Sequence, residues 1–278
     1  MAVNPFQPVI RAAKQVRNAW YPWLRKLPIE IAPLTGHHHY TPFIILGRSR
    51  VGSNFLRGLL NAHSQISTFG EIFRDVTDTD WDHMGYFQSP ETVLALKDKP
   101  AAFLQKKLFG RYPQYIKAVG FKIFYYHAPD SAVWKYLQAD TRIRVIHLKR
   151  HNILKTHLSR KKAAATDHWV KTSRRQERQT TFKLDYDECL QDFIRTRGWE
   201  QEYDTLFQSH PMLEIFYEDL ATDHVHEMRR VEQFLNVDFE EVQPTTRKQS
   251  QAKLADVIIN YDELKQKFSG SEWASFFE

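Results

Sequence analysis

Eight consecutive residues, Gly47-Arg48-Ser49-Arg50-Val51-Gly52-Ser53-Asn54, put two guanidinium groups and two hydroxyls between and beside two glycines. Glycines at this spacing let successive backbone N–H groups converge on an anion at a helix N-terminus. A planar guanidinium adds two parallel hydrogen bonds to an oxyanion. The chemistry is therefore that of phosphate or sulfate. The lysine that reaches the β- and γ-phosphates in the nucleotide-triphosphate version of such a loop would follow Gly52, and Ser53 stands there instead. The loop is poorly suited to ATP or GTP. Taken alone it also fits an ordinary strand-to-helix turn with surface arginines. Glu71 changes the balance. About ten helical residues after the loop advance ~15 Å, and the six residues from Ile66 to Glu71 return ~20 Å if extended. A carboxylate brought back beside an anion is repelled by it, and a general base for an incoming hydroxyl is a reason for its presence. Farther on, Arg150 and Ser159 flank the first two turns of a helix that Asn152 can cap. Such a pair suits a second phosphate, and a solvated basic helix explains it equally well.

The elements that must position these groups follow from the apolar pattern. Phe43 to Leu46 is a short apolar run closed by Gly47, and Asn54 to Asn61 carries apolar residues at helical spacing. The alternation continues with a strand from Val119 to Tyr125 and a helix from Ser131 to Gln138. A strand from Ile143 to Leu148 leads to a helix from Asn152 to Lys162, and a strand from Leu213 to Tyr217 leads to a helix from Asp223 to Leu235. Strands alternating with helices predict an α/β fold, a P-loop-like central parallel sheet flanked by helices, with ligands at the carboxyl ends of the strands. Residues 1–278 read as one domain, with an N-terminal arm over 1–40 and a core over 42–265. Segments 72–118 and 160–210 interrupt the alternation as helical or looped insertions expected to cover the site. Trp81, Tyr86 and Phe87 in the first could stack on an acceptor or pack in the core. His37, His38 and His39 are adjacent and point to opposite faces if extended, so they form a solvated loop rather than a metal site. Tyr217 reads as a strand end, Glu218 and Asp219 as charges opening the next helix.

Composition limits the remaining choices. The 278 residues are 42% hydrophobic and 26% charged, which excludes disorder as the main state. The formal charge of +6 favours an anionic partner. It is concentrated: residues 142–178 hold twelve Lys and Arg against Asp167 and Glu177, an electrostatic funnel on the helix that carries Ser159. Cys189 is the single cysteine, so no intramolecular disulfide and no cysteine-based metal cluster can form. With no signal-peptide pattern and no integral membrane segment, a cytoplasmic location is expected.

In this order, the Gly47–Asn54 loop, Phe69-Gly70-Glu71, the strand leading to Arg150 and Ser159, and Tyr217-Glu218-Asp219-Leu220 resemble the sulfotransferases that use 3′-phosphoadenosine-5′-phosphosulfate (PAPS). The likeness is closest to the bacterial type acting on carbohydrates and glycolipids. The resemblance implies PAPS as donor substrate, with no metal. Arg48, Arg50, Gly52, Ser53 and Asn54, within a loop that also includes Gly47, Ser49 and Val51, would hold the 5′-phosphosulfate. Arg150 and Ser159 would hold the 3′-phosphate, and Arg247 and Lys248 would close over the nucleotide. Glu71 would be the catalytic base, with Arg48 and Lys122 stabilising transferred charge. The animal enzymes of this kind use a Lys-x-His segment, whose nearest analogue here is Lys122 with His127, off in spacing. The acceptor would be a small molecule or a glycan or lipid hydroxyl. Two rivals stay open: a P-loop kinase-like phosphotransferase, which lacks its lysine here, and a nucleic-acid-binding protein, which leaves Glu71 without a purpose.

Overall fold

A computed structural model describes residues 35–74, 99–129, 132–166, 181–244 and 253–278. Most of the N-terminal arm and Trp81, Tyr86, Phe87, Arg247 and Lys248 lie outside these residues, so what was expected of them is not addressed by the described fold.

Five strands form one parallel sheet in the order β2-β3-β1-β4-β5: β1 (Thr41–Gly47), β2 (Ile66–Phe69), β3 (Ala118–Phe124), β4 (Arg144–Lys149) and β5 (Met212–Phe216). From β1 the chain crosses to β2 at one edge, returns through β3, and then passes to β4 on the other side of β1. The carboxyl end of β1 is thus a switch point, where open α/β sheets leave a crevice for a ligand. The α/β sheet and flanking helices expected from the sequence are present, and each strand read from apolar runs lies within one residue of its predicted bounds at most positions.

Alternate residues of β1 serve opposite cores. Ile44 and Leu46 join Phe121, Ile123 and Val145 on one face, while Phe43 and Ile45 join Ile146 and Leu148 on the other. Both sides are covered, which is why these strands read as continuous apolar runs instead of alternating ones. Helix α1 (Ser53–Ala62) buries Leu56, Leu59 and Leu60, the three-and-four spacing of one helical face. Beyond it lie the short helix α2 (Pro100–Phe103), α3 (Ala132–Ala139), α4 (Ile153–Thr166), α5 (Tyr186–Leu206), α6 (Tyr217–Thr222), α7 (His224–Leu235), α8 (Leu254–Val257) and α9 (Tyr261–Lys267).

Three local readings change. Segment 160–210 includes α5, a 21-residue helix. Its Tyr203 is buried in the same core as β1 and β3, and its Cys189 and Phe193 pack in a third cluster with the C-terminal Phe268, Trp273 and Phe276. This part of the segment belongs to the framework. Tyr217 opens α6 instead of ending a strand. His37 is not simply solvated: it bridges to Tyr112, with backbone hydrogen bonds of 2.9 and 3.0 Å in the two directions.

Candidate active site

All five strands deliver residues to the same end of the sheet. The loop leaves β1 at Gly47, where an added Cβ would stand 2.6 Å from the Leu148 carbonyl oxygen of the neighbouring strand. It closes at Gly52, whose φ of 93° is left-handed and whose missing Cβ would lie 2.0 Å from the Tyr217 ring. Only glycine fits there, on both counts. Arg50 is also left-handed, with φ 70°, an uncommon conformation for a residue with a side chain. Arg50 is fixed by Arg150, just past β4, and by Ser159 of α4: Arg50 Nε donates to Ser159 Oγ at 2.9 Å, and Arg150 Nη1 donates to the Arg50 carbonyl at 3.0 Å.

Arg150 and Ser159, nine positions apart in the sequence, are therefore brought together through Arg50. Arg150 also stacks on Tyr217, 4.3 Å from its centroid, and pairs with Glu218 at 3.2 Å. Glu218 thereby acts on the β4 loop as well as opening a helix. Burial, and then the charge of Arg150, push the Arg50 guanidinium below its ordinary value. Two cations that disfavour one another beside a hydroxyl form a place where an anion relieves both.

Arg48 departs from what the loop sequence suggested. Its guanidinium is turned onto α5, where Nη2 meets Asp192 Oδ1 at 2.6 Å, Nη1 contacts Thr196 Oγ1, and the Trp199 ring lies 5.1 Å away. It is 7% exposed, and a buried guanidinium needs a counter-charge that the loop does not supply. Asp192 also takes Arg160 and, at 3.2 Å, His157 Nδ1. Burial pushes this carboxyl up, but the His157 hydrogen bond and the Arg160 and Arg48 charges outweigh it and hold it at about 2. Asp192 was not legible locally, because it lies 144 residues from Arg48.

Glu71 does return to the loop. It follows β2, and Lys122, on β3, links the two: Lys122 Nζ lies 2.9 Å from Glu71 Oε1 and 2.5 Å from the side-chain oxygen of Asn54, in the first turn of α1. Lys122 is 1% exposed, so its charge is committed to these partners. On the other side of Glu71, His127 Nε2 stands 3.8 Å from Oε2. His127 Nδ1 accepts the Phe124 backbone N–H at 3.2 Å, so the ring proton sits on Nε2. Burial first, and then the Lys122 charge against that of Glu71, lower this imidazole to about 4. At neutral pH it is a neutral donor facing the carboxylate. The cluster holds one carboxylate that is partly open to solvent, one buried ammonium and one neutral imidazole, all adjoining an anion loop. It can accept a proton from a hydroxyl and stabilise negative charge alongside. Among the described residues, no group of three or more His, Cys, Asp or Glu could hold a metal ion, and no helix is long and apolar enough to cross a membrane.

A family model described as a sulfotransferase domain matches residues 40–277. The chain belongs to the sulfotransferase family. This sulfotransferase is 27% identical over 245 residues to Nodulation protein H of Rhizobium tropici, which covers 85% of this chain and 93% of that protein. It is 27% identical over 248 residues to Nodulation protein H of Rhizobium meliloti (strain 1021), over 85% of this chain and 95% of that protein. Among solved structures it is similar to a sulfotransferase from Alicyclobacillus acidocaldarius, with a TM-score of 0.47 and 16% identity over 82% of this chain and 91% of the other.

Proposed function

We propose that this sulfotransferase moves a sulfuryl group from PAPS to an acceptor hydroxyl on a carbohydrate, glycolipid or small alcohol, with Glu71 as the general base. The observation that carries this reading is the chain of contacts Asn54–Lys122–Glu71, which ties a proton acceptor to the first turn after the anion loop.

The loop amides from Gly47 to Asn54 and the Arg50 guanidinium hold the 5′-phosphosulfate. Arg150 and Ser159 hold the 3′-phosphate. The acceptor oxygen attacks sulfur in line, an S–O bond to the acceptor forms, the S–O bond to the phosphate breaks, and the acceptor proton passes to Glu71. In a loose transition state most of the catalysis comes from positioning and charge stabilisation. Lys122 supplies that charge as Glu71, its ion-pair partner, is neutralised by the acceptor proton. Arg48 serves by locking the loop to α5, with its side chain already neutralised by Asp192. The free, buried thiol of Cys189 suits a reducing compartment, and we place the protein in the cytoplasm.

Incubation with donor labelled in the sulfuryl group and a panel of sugars, glycolipids and alcohols tests the reading. Transfer of label to a hydroxyl in the presence of a metal chelator is expected. A parallel incubation uses ATP labelled in the γ-phosphate with magnesium, and label transfer from that donor alone would assign the site to phosphoryl transfer instead.

A further inference from the structure

Tyr126 belongs to none of the motifs that pointed to the site, yet its ring stands close to the proposed base. The preceding residue, Tyr125, donates its backbone N–H to the Gly47 carbonyl at 3.1 Å, which fastens this turn to the root of the loop. Three rings hold the phenol: His127 at 5.2 Å, Phe124 at 5.8 Å and Trp199 at 5.8 Å, centroid to centroid. The ring is fixed by this packing while 42% of the residue stays exposed. The His127 imidazole is the spacer between the phenol and the base, since its Nε2 stands 3.8 Å from Glu71 Oε2.

The neighbours of an open aromatic ring decide what can lie on it. His127 and Glu71 are polar, and the Trp199 ring carries the Arg48 guanidinium 5.1 Å from its centroid. An acyl chain needs a continuous apolar lining, and these groups interrupt it. A short open-chain alcohol has no rigid face to set on a ring. A pyranose has both parts: its C–H face suits the negative face of an aromatic ring, and its rim of hydroxyls suits charged and polar neighbours. We propose that Tyr126 is the platform on which a pyranose acceptor stacks, which sets one ring hydroxyl at Glu71. This inference rests on the sulfuryl transfer proposed above and narrows its acceptor to hydroxyls on sugar rings.

Methyl pyranosides and the alditols of the same sugars make the comparison, because both offer hydroxyls and only the first has a rigid ring face. With PAPS as donor, the wild type should favour a pyranoside over its alditol. Tyr126→Ala should raise KM for that pyranoside about three- to tenfold, the worth of one stacked ring. KM for the alditol and the affinity for 3′-phosphoadenosine-5′-phosphate should stay unchanged, and Tyr126→Phe, which keeps the ring, should behave as the wild type. A merely structural tyrosine would shift both acceptor sets together. Equal use of pyranosides and alditols by the wild type, an unchanged pyranoside KM in Tyr126→Ala, or an equal rise for both sets overturns the platform and leaves the donor and base assignments standing. Saturation-transfer NMR of the methyl pyranosides separates binding from reaction. Sugar contact with the wild type that is lost in Tyr126→Ala, without any sulfuryl transfer, supports the platform while the proposed reaction fails. No contact and no transfer for any pyranoside overturns the platform.

Discussion

His127 shows how a single buried group separates two readings of the site. Its Nδ1 is occupied by the Phe124 amide and its Nε2 then carries the ring proton, which leaves neither nitrogen open to take the proton of an entering hydroxyl. In the proposed reaction Glu71, 18% exposed at its side chain, takes the proton of the entering hydroxyl. The lowered imidazole also has a stability consequence. An unfolded histidine titrates near 6.5, so between that value and about 4 the unfolded chain binds more protons than the folded one. Stability is present in full above the upper value and falls as pH drops through the window. From this group alone the loss between pH 7 and pH 5 is about 2 kcal/mol. Urea denaturation at the two pH values should show that decline in the wild type and a smaller one in His127→Gln. An equal decline in both would mean that the ring is not held neutral. From the sequence, Lys122 with His127 is off in spacing as an analogue of the Lys-x-His segment of the animal enzymes. In the fold Lys122 comes from the strand itself and His127 from the turn beyond it, and the two meet Glu71 from different sides.

The elements were more legible than their interlocking. Strands β1, β3, β4 and β5 follow from apolar runs, and the Ile66–Phe69 strand follows from the requirement that Glu71 return. Helix α5 was less so: it buries Asp192, Thr196 and Glu200 together with Phe193 and Tyr203, so its inward face is partly polar and lacks a clean apolar stripe. The sequence contains the glycines of the loop, but not the partner that requires one of them. Gly52 faces Tyr217, 165 positions away in a different element, and the separation of the missing Cβ from that ring is 2.0 Å. Gly52→Ala should therefore destabilise the protein by about 1–3 kcal/mol through overcrowding, with a further cost from its left-handed backbone. Thermal melting of Gly52→Ala and of the double variant with Tyr217→Ala checks the cause. The second substitution should recover part of the loss, and no recovery would assign the whole effect to the backbone.

At the scale of the molecule, the basic run from 142 to 178 changes meaning once the chain is folded. Acids distant in sequence neutralise many of its members: Asp192 takes Arg160, Glu188 takes Lys161, Asp204 and Glu214 take Lys149, and Glu218 takes Arg150. Counting charge along a window registers the cations and omits partners brought in by the fold. Among the described residues, the run is therefore less of a funnel than its count along the sequence suggests. Asp192 joins the loop, α4 and α5 into one body, and Asp192→Asn leaves the buried Arg48 and the partly buried Arg160 guanidiniums without their carboxylate. A loss of about 3–5 kcal/mol in urea unfolding is expected; a loss below about 0.5 kcal/mol, the range of ordinary surface substitutions, would show that the hub is not structural.

The convergence of all five strand ends on one reaction is tested most directly by Glu71→Gln, with sulfuryl transfer and 3′-phosphoadenosine-5′-phosphate binding measured on the same preparation. Loss of about 10²- to 10⁴-fold in kcat with nucleotide affinity unchanged or higher is the predicted result, since the substitution removes the proton acceptor and a charge that repels the anion. Transfer at near wild-type rate, with the nucleotide still bound, would contradict the account.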